Sequence, residues 1–412
     1  MLGTVAIVGG SLGGLTAAET LRSEGFGGRI IVIEAESVTP YDRPPLSKQV
    51  LAGDWEPDRI VLPAARPERL AELDLEWKTG HAVGLDLADR MVGLGDGQRV
   101  GFDGLILATG ATPRVLPGMG DLSGVHVLRT LQDCLVLRAE LDASPSRVVV
   151  IGAGFIGSEV AATCRARGLS VTLVEALATP LERVLGSALG TVLADLHRDH
   201  GVDLRLGVGF AGFETSGEGG DQRVTGVRLS DGSLVPCDVV VVGIGVTPNT
   251  GWLAGSGLDL NDGVVVDDRL RAAPGVVAVG DLARWPSARF GGSMRVEHWE
   301  NAIQSAEHAA RTLMVAPESG AGGEAYDPVP WFWSDQYDRK IQLAGTCRPD
   351  DAIEIVEGSL DERRFVALFG REDRVVGVLG MNRPRHVMQL RVLVEEGEAW
   401  DAGLARARAL VS

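Results

Sequence analysis

Short apolar runs alternate along the chain with stripes of helical spacing. Residues 4–8 (TVAIV), 29–34 (RIIVIE) and 104–110 (GLILATG) are almost continuously apolar and predict buried strands of a parallel sheet. Residues 13–25, between the first two, read as a helix. Runs at 91–94 and 99–102 flank GDGQ and predict a hairpin. The order then repeats. Residues 147–151 (RVVVI) and 170–175 (SVTLVE) are strands around a helix at 156–167. A helix near 187–200 follows, then a hairpin of 224–229 and 234–235 around SDGS, and 238–245 (DVVVVGIG) copies the GLILATG element. A whole domain type is therefore duplicated, giving two Rossmann-like dinucleotide-binding folds in one chain.

The run 262–281 ends in a strand, GVVAVGD. Trp299, Ala302, Ile303, Ala306, Ala310 and Leu313 recur at helical spacing and predict a helix over 298–315. Residues 316–329, rich in Gly, Ala and Pro, read as a linker. Strand-like runs at 341–344, 364–369 and 375–379 then precede a final helix. The expected fold class is α/β: two Rossmann-like dinucleotide-binding domains plus a small C-terminal α+β domain. The expected boundaries are 1–110 with 241–318, then 111–240, then 325–412.

The glycine turns carry the chemistry. GAGFIG at 152–157 is a full G-x-G-x-x-G that follows a strand, opens a helix and precedes Glu175 at the end of the next strand. Such glycines let the backbone approach a pyrophosphate, whose charge the helix N-terminus stabilises. Glu175 can accept hydrogen bonds from a ribose diol and would repel a 2′-phosphate. Ala176 and Leu177 supply no cation after it, so NAD is preferred over NADP. GGSLGG at 9–14 is a variant with Ser11 in the second glycine position, and Glu34 closes its unit. ATG at 108–110 and VGD at 279–281 fit the remaining contacts of a flavin domain, with Asp281 on a ribityl hydroxyl. The helix starting near His298 would aim its N-terminal dipole at the pyrimidine side of the flavin, where charge appears on reduction.

Composition narrows the partners. The 412 residues carry a formal charge of −17, with a pI near 4.9, which disfavours nucleic acid or an anionic membrane as a general partner. No apolar run is long enough for a membrane span, and the first residues enter a strand without a signal-peptide pattern. Cys134, Cys164, Cys237 and Cys347 lie far apart, which fits a reduced cytoplasmic compartment and argues against a disulfide scaffold or a metal cluster. His81, His126, His197, His200, His308 and His386 show no ligand spacing, so no metal is assigned.

The segments YDRPPLSK, LRTLQD, IGAGFIGSEVAA, GIGVTPN, VGDLARW and WFWSDQY together resemble one family across nearly the whole chain. It is the flavoprotein reductases with two dinucleotide-binding domains of glutathione-reductase-like fold, specifically the NADH-dependent, putidaredoxin reductase-like ferredoxin reductases of Rieske oxygenases and bacterial cytochromes P450. The resemblance implies that FAD is held by Gly9, Ser11, Leu12, Gly13, Gly14, Glu34, Ala35, Arg43, Lys48, the backbone of Val83, Ala108, Thr109, Gly110, Arg129, Gly280, Asp281, His298 and Trp299. It implies that NAD is held by Gly152, Gly154, Phe155, Ile156, Gly157, Glu159, Glu175, Arg183, Gly243, Ile244 and Gly245. Residues 1–110 and 241–318 become the FAD domain and 111–240 the NAD domain. Lys48 and Glu159 match a catalytic pair that the family keeps beside the flavin ring.

The activity implied is that of a ferredoxin–NAD reductase (EC 1.18.1 type): hydride in from NADH, electrons out singly to a small iron–sulfur ferredoxin. A cytoplasmic monomer or weak homodimer is expected. Related disulfide and peroxide reductases need a cysteine near the flavin, and TPYDRPPLSK at 39–48 has none. A rubredoxin reductase and an apoptosis-inducing-factor-like NADH-sensing flavoprotein stand as alternatives. Three features keep two readings each. Lys48 is either a solvated lysine or a cation beside the flavin. Trp331, Phe332 and Trp333 are either core or a cover for the flavin face. The run NRPRH at 382–386, with Arg295, Arg339 and Lys340, is either scattered solvated charge or a docking patch for an acidic ferredoxin.

Overall fold

Four consecutive valines, Val239–Val242, are all buried, as are Val5–Val8 and Gly104–Leu107. A strand covered on both faces tolerates no polar alternation, which is why these runs read so plainly. The computed structural model describes residues 2–120, 122–315 and 324–411. Residues 316–323, which contain most of the expected linker and its boundary at 318, lie outside the described residues.

The chain gathers into two units. The first takes the described residues of 1–42, 60–112 and 247–330; the second takes those of 43–59, 113–246 and 331–412. In the first, a six-stranded sheet runs in the order Arg271–Ala273, Val276–Ala278, Gly104–Leu107, Thr4–Val8, Arg29–Glu34, Leu75–Thr79. All neighbours are parallel except the first pair. Helices Leu12–Ser23 and Trp299–Met314 pack against each other, and a meander of Ala82–Asp86, Met91–Leu94 and Arg99–Gly101 stands beside the sheet.

The second unit repeats the plan. Its parallel sheet runs Asp203–Leu206, Ser170–Glu175, Arg147–Ile151, Val239–Val242, Val125–His126. Helix Phe155–Ala166 follows the strand Arg147–Ile151, as Leu12–Ser23 follows Thr4–Val8. The C-terminal residues of this unit form an antiparallel sheet in the order Trp331–Gln336, Arg339–Gly345, Arg374–Met381, Arg364–Arg371, Ala352–Ser359.

The expected single final helix is two, Pro384–Glu396 and Trp400–Val411, because Gly397 at φ 62° ends the first in a left-handed cap. The helix expected near 187 begins at Glu182, and its first turn is set apart by Gly186, whose φ of 73° and ψ of 172° break the helical run. The segment Arg43–Arg59 is gathered with the second unit, not with residues 1–42. Thr163 Oγ1 donates to the Ser47 carbonyl at 2.8 Å, Arg167 to the Leu51 carbonyl at 2.8 Å, and Arg43 to the Arg129 carbonyl at 2.8 Å.

Candidate functional site

The two glycine turns have matching geometry. Gly9 (φ 105°) and Gly152 (φ 99°) occupy the left-handed region that glycine favours. A Cβ on Gly9 would lie 2.3 Å from the Ala108 carbonyl oxygen, and one on Gly152 would lie 2.4 Å from that of Gly243. A Cβ on Gly14 or Gly157 would lie 1.8 or 2.0 Å from the preceding loop's Gly9 or Gly152 oxygen, so these glycines let helix and strand close up. The second glycine differs. A Cβ on Gly154 would meet nothing nearer than 3.9 Å among the described residues, so their packing does not require glycine there. Ser11 in the equivalent place has an ordinary φ of −83° and caps its helix without a side-chain bond among the described residues. The serine is therefore compatible with the loop, and the backbone amides of both helix N-termini can face an anion.

Two carboxylates finish the loops in the same way. Glu34 accepts from the Gly10 amide at 2.5 Å and the Glu36 amide at 2.9 Å. Glu175 accepts from the Ala153 amide at 2.8 Å and the Leu177 amide at 2.9 Å. Each carboxylate has about four acceptor positions, so two remain for a ribose diol. Ala35 and Arg183 are exposed, and Gly243, Ile244 and Gly245 form the turn after Val239–Val242. Phe155 and Ile156 open the second loop's helix, Ile156 nearly half exposed.

The remaining first-unit candidates form two groups. Ala108, Thr109 and Gly110 follow the strand Gly104–Leu107 and are locked by Asn249, whose side chain donates to the Thr109 carbonyl at 2.8 Å while its amide donates to Gly110 at 2.9 Å. Gly280 and Asp281 lie in a tight turn, with the Gly280 amide donating to Ser305 Oγ at 2.9 Å. His298 caps helix Trp299–Met314, and desolvation lowers its pKa to about 4 against the opposing pull of Asp281, so the imidazole is neutral at pH 7. The Trp299 indole donates to Asp42 at 2.7 Å. Leu12 and Gly13 lie in the first helical turn, and Val83 is exposed on its strand.

In the second unit, Pro44–Ser47 is a single 3-10 turn with prolines at its start, and it presents Ser47 and Lys48 to helix Phe155–Ala166. Glu159 on that helix is 3% exposed, and its two oxygens are divided between partners. Oε2 accepts from Ser47 Oγ at 2.5 Å and Lys48 Nζ at 2.8 Å. Oε1 accepts from Ser334 Oγ at 2.8 Å and the Asp335 amide at 3.4 Å. Lys48 is therefore a partly buried ion-pair partner rather than a solvated lysine. Ser47, Ser334 and Asn249 are missing from the sequence-based candidates. Serine has no motif signature of its own, and only GIGVTPN hinted at Asn249.

The aromatic run splits by strand alternation. Phe332 is buried with its ring 4.5 Å from Phe155, while Trp331 and Trp333 stack on the other face at 5.2 Å. All four cysteines are free thiols, and burial pushes each up to about 12. Cys134 does touch the proline turn, donating to the Leu46 carbonyl at 3.2 Å, but its thiol stays protonated. Most of the basic residues offered as a docking patch are paired. Arg383 binds both oxygens of Glu357, Arg339 pairs with Asp338, Lys340 with Asp335, and Arg295, in the first unit, with Asp262 and Glu297. Arg385 is exposed.

Residues 3–306 match the family described as pyridine nucleotide-disulphide oxidoreductase, and residues 331–409 match that described as reductase C-terminal. The chain belongs to the pyridine nucleotide-disulphide oxidoreductase family. It is 39% identical over 397 residues to rhodocoxin reductase of Rhodococcus erythropolis, covering 95% of this chain and 90% of that one. It is 36% identical to putidaredoxin reductase of Pseudomonas putida, covering 95% and 92%. The solved structure of the covalent putidaredoxin reductase–putidaredoxin complex superposes with a TM-score of 0.89 at 34% identity, covering 96% of this chain and 93% of that one. The expected fold class is borne out. Members of this family are FAD-dependent and use NAD(P)H. The two glycine loops, each with its uncapped helix and its acid, fit two dinucleotides.

Proposed function

We propose that the chain is an FAD-dependent reductase that oxidises NADH and passes electrons singly to a small iron–sulfur ferredoxin supplying a cytochrome P450 or a Rieske oxygenase. The observation that carries this reading is a likeness to ferredoxin reductases along both dinucleotide units and the C-terminal domain, combined with a cysteine-free segment at 39–48. FAD, when bound, accepts two electrons together from NADH and releases them one at a time.

The chain's own residues bind and orient. The 9–14 loop and Glu34 would hold the adenosine half of FAD, and the 152–157 loop with Glu175 that of NADH. Asp281 and the Thr109–Gly110 turn would hold the flavin end, and neutral His298 adds no charge there. Lys48, paired with Glu159, would favour negative charge on the flavin ring. No side-chain nucleophile is required, which agrees with four thiols held protonated. Residues 1–110 with 241–318 serve FAD, 111–240 serve NADH, and 325–412 form the C-terminal domain in this reading. Free thiols, three of them buried, suit the cytoplasm.

The test is anaerobic titration of the yellow protein with NADH, followed by transfer to a panel of ferredoxins and a rubredoxin. Bleaching by NADH with ferredoxin reduction is expected. Bleaching without transfer to any carrier would favour an NADH-sensing role and sink the reductase reading.

A further inference from the structure

The strand Trp331–Gln336 is the edge of the C-terminal sheet and lies along helix Phe155–Ala166. Strand residues two apart are about 6.8 Å apart, and helix residues four apart about 6 Å. The register Phe332 on Phe155 and Ser334 on Glu159 satisfies both repeats. A slip of one residue would turn Asp335 toward the Glu159 carboxylate, a like-charge contact.

We propose that Ser334 is a positioning residue through which the C-terminal domain sets the Lys48–Glu159 pair. The torsion that turns a glutamate carboxylate is broad and two-fold, so the ion pair does not by itself fix the carboxylate plane. The Ser334 hydroxyl, fully buried, holds Oε1 and leaves Oε2 facing Ser47 and Lys48. Without it, Oε1 keeps only the 3.4 Å Asp335 amide among the described residues, and rotation toward a second donor draws Oε2 away from Lys48. The proposal rests on the reading that Lys48 serves the flavin.

The chain contains three lysines, Lys48, Lys78 and Lys340, so lysine side chains can be observed one by one. The FAD-loaded full chain is methylated with 13C-formaldehyde and a reductant, and each dimethyl-lysine is titrated by NMR, with Lys78→Arg and Lys340→Arg identifying the signals. Ser334→Thr and Ser334→Val have the same shape and differ by the hydroxyl, so packing damage is common to both. Ser334→Val is expected to lower the Lys48 pKa by about one unit, tenfold in proton affinity, relative to Ser334→Thr, in the same direction as Glu159→Gln. Identical Lys48 titrations in the Thr and Val variants, with Glu159→Gln shifting the signal, overturn the proposal.

NADH-driven bleaching is timed in the same samples. Slower bleaching in Ser334→Val than in Ser334→Thr is expected, and equal rates overturn the positioning role. An unsubstituted protein that does not bleach would sink the reductase reading and leave the lysine comparison standing.

Discussion

Asp42 receives the indole N–H of Trp299 at 2.7 Å, and the two residues are 257 positions apart in the sequence. Asp42 belongs to the YDRPP run, whereas Trp299 opens the helix that also carries Ser305, the acceptor for the Gly280 amide. One carboxylate therefore helps fix the helix end proposed for the flavin.

Asp42→Ala removes the acceptor from a partly buried N–H, a loss of about 1 kcal/mol. FAD affinity of the apoprotein, followed by flavin fluorescence, is expected to weaken about fivefold to tenfold. Asp42→Asn, which keeps a carbonyl acceptor, should recover most of it. Unchanged affinity in Asp42→Ala would detach this bond from flavin binding.

Glu175 offers its two spare acceptor positions where the NADH ribose is proposed, with no cation among the residues just after it. Replacing it with Ala removes both the diol acceptor and the repulsion toward a 2′-phosphate. The ratio of kcat/KM for NADPH over NADH is expected to rise about tenfold or more, equivalent to about 1.4 kcal/mol. A ratio that stays fixed would show that this carboxylate does not set the choice of nucleotide.

The legibility of this chain was uneven for physical reasons. Strands buried on both faces, such as Val239–Val242, leave an uninterrupted apolar run. The edge strand Leu75–Thr79 (LEWKT) is only half covered and has no such run, so the sequence did not show it. In the site, the glycines and terminal acids were readable because backbone approach and diol binding each demand a residue type. Ser47 and Ser334 were not, since a serine is common everywhere and their shared partner Glu159 lies 112 and 175 residues away. The two readings of the run NRPRH stayed open in the sequence because charge counting cannot see Glu357 folded against Arg383.

Lys48 and Glu159 couple because the carboxylate is buried and the lysine side chain is only 12% exposed. Lys48→Met strands a carboxylate that is 3% exposed, and breaking a buried pair costs about 3–5 kcal/mol. Donation from Ser47, Ser334 and the Asp335 amide offsets part of that, placing the expected loss at the low end. Lys48→Met combined with Glu159→Gln leaves no uncompensated charge and is expected to be more stable than Lys48→Met alone. Urea denaturation of the four proteins measures this, and a double variant that simply adds the two single losses would show that the pair is not coupled.

His197 should govern part of the acid response. Its ring is fully buried, bonded to Tyr337 Oη at 2.7 Å and Ser158 Oγ at 3.2 Å, with His200 stacked on the Tyr337 ring at 3.8 Å. Burial first, and then His200, lowers its pKa to about 4 from an ordinary 6.5. Between those values the unfolded chain binds the proton and the folded chain does not, so stability falls as pH drops from about 6.5 to about 4 and levels off below. At pH 5 the loss from this one ring is about 2 kcal/mol. His197→Gln, which cannot take up the proton, is expected to be less stable than the parent at pH 7 yet to lose about 2 kcal/mol less between pH 7 and pH 5. Urea midpoints at the two pH values decide it; parallel losses in both proteins would mean that His197 is not the group that charges.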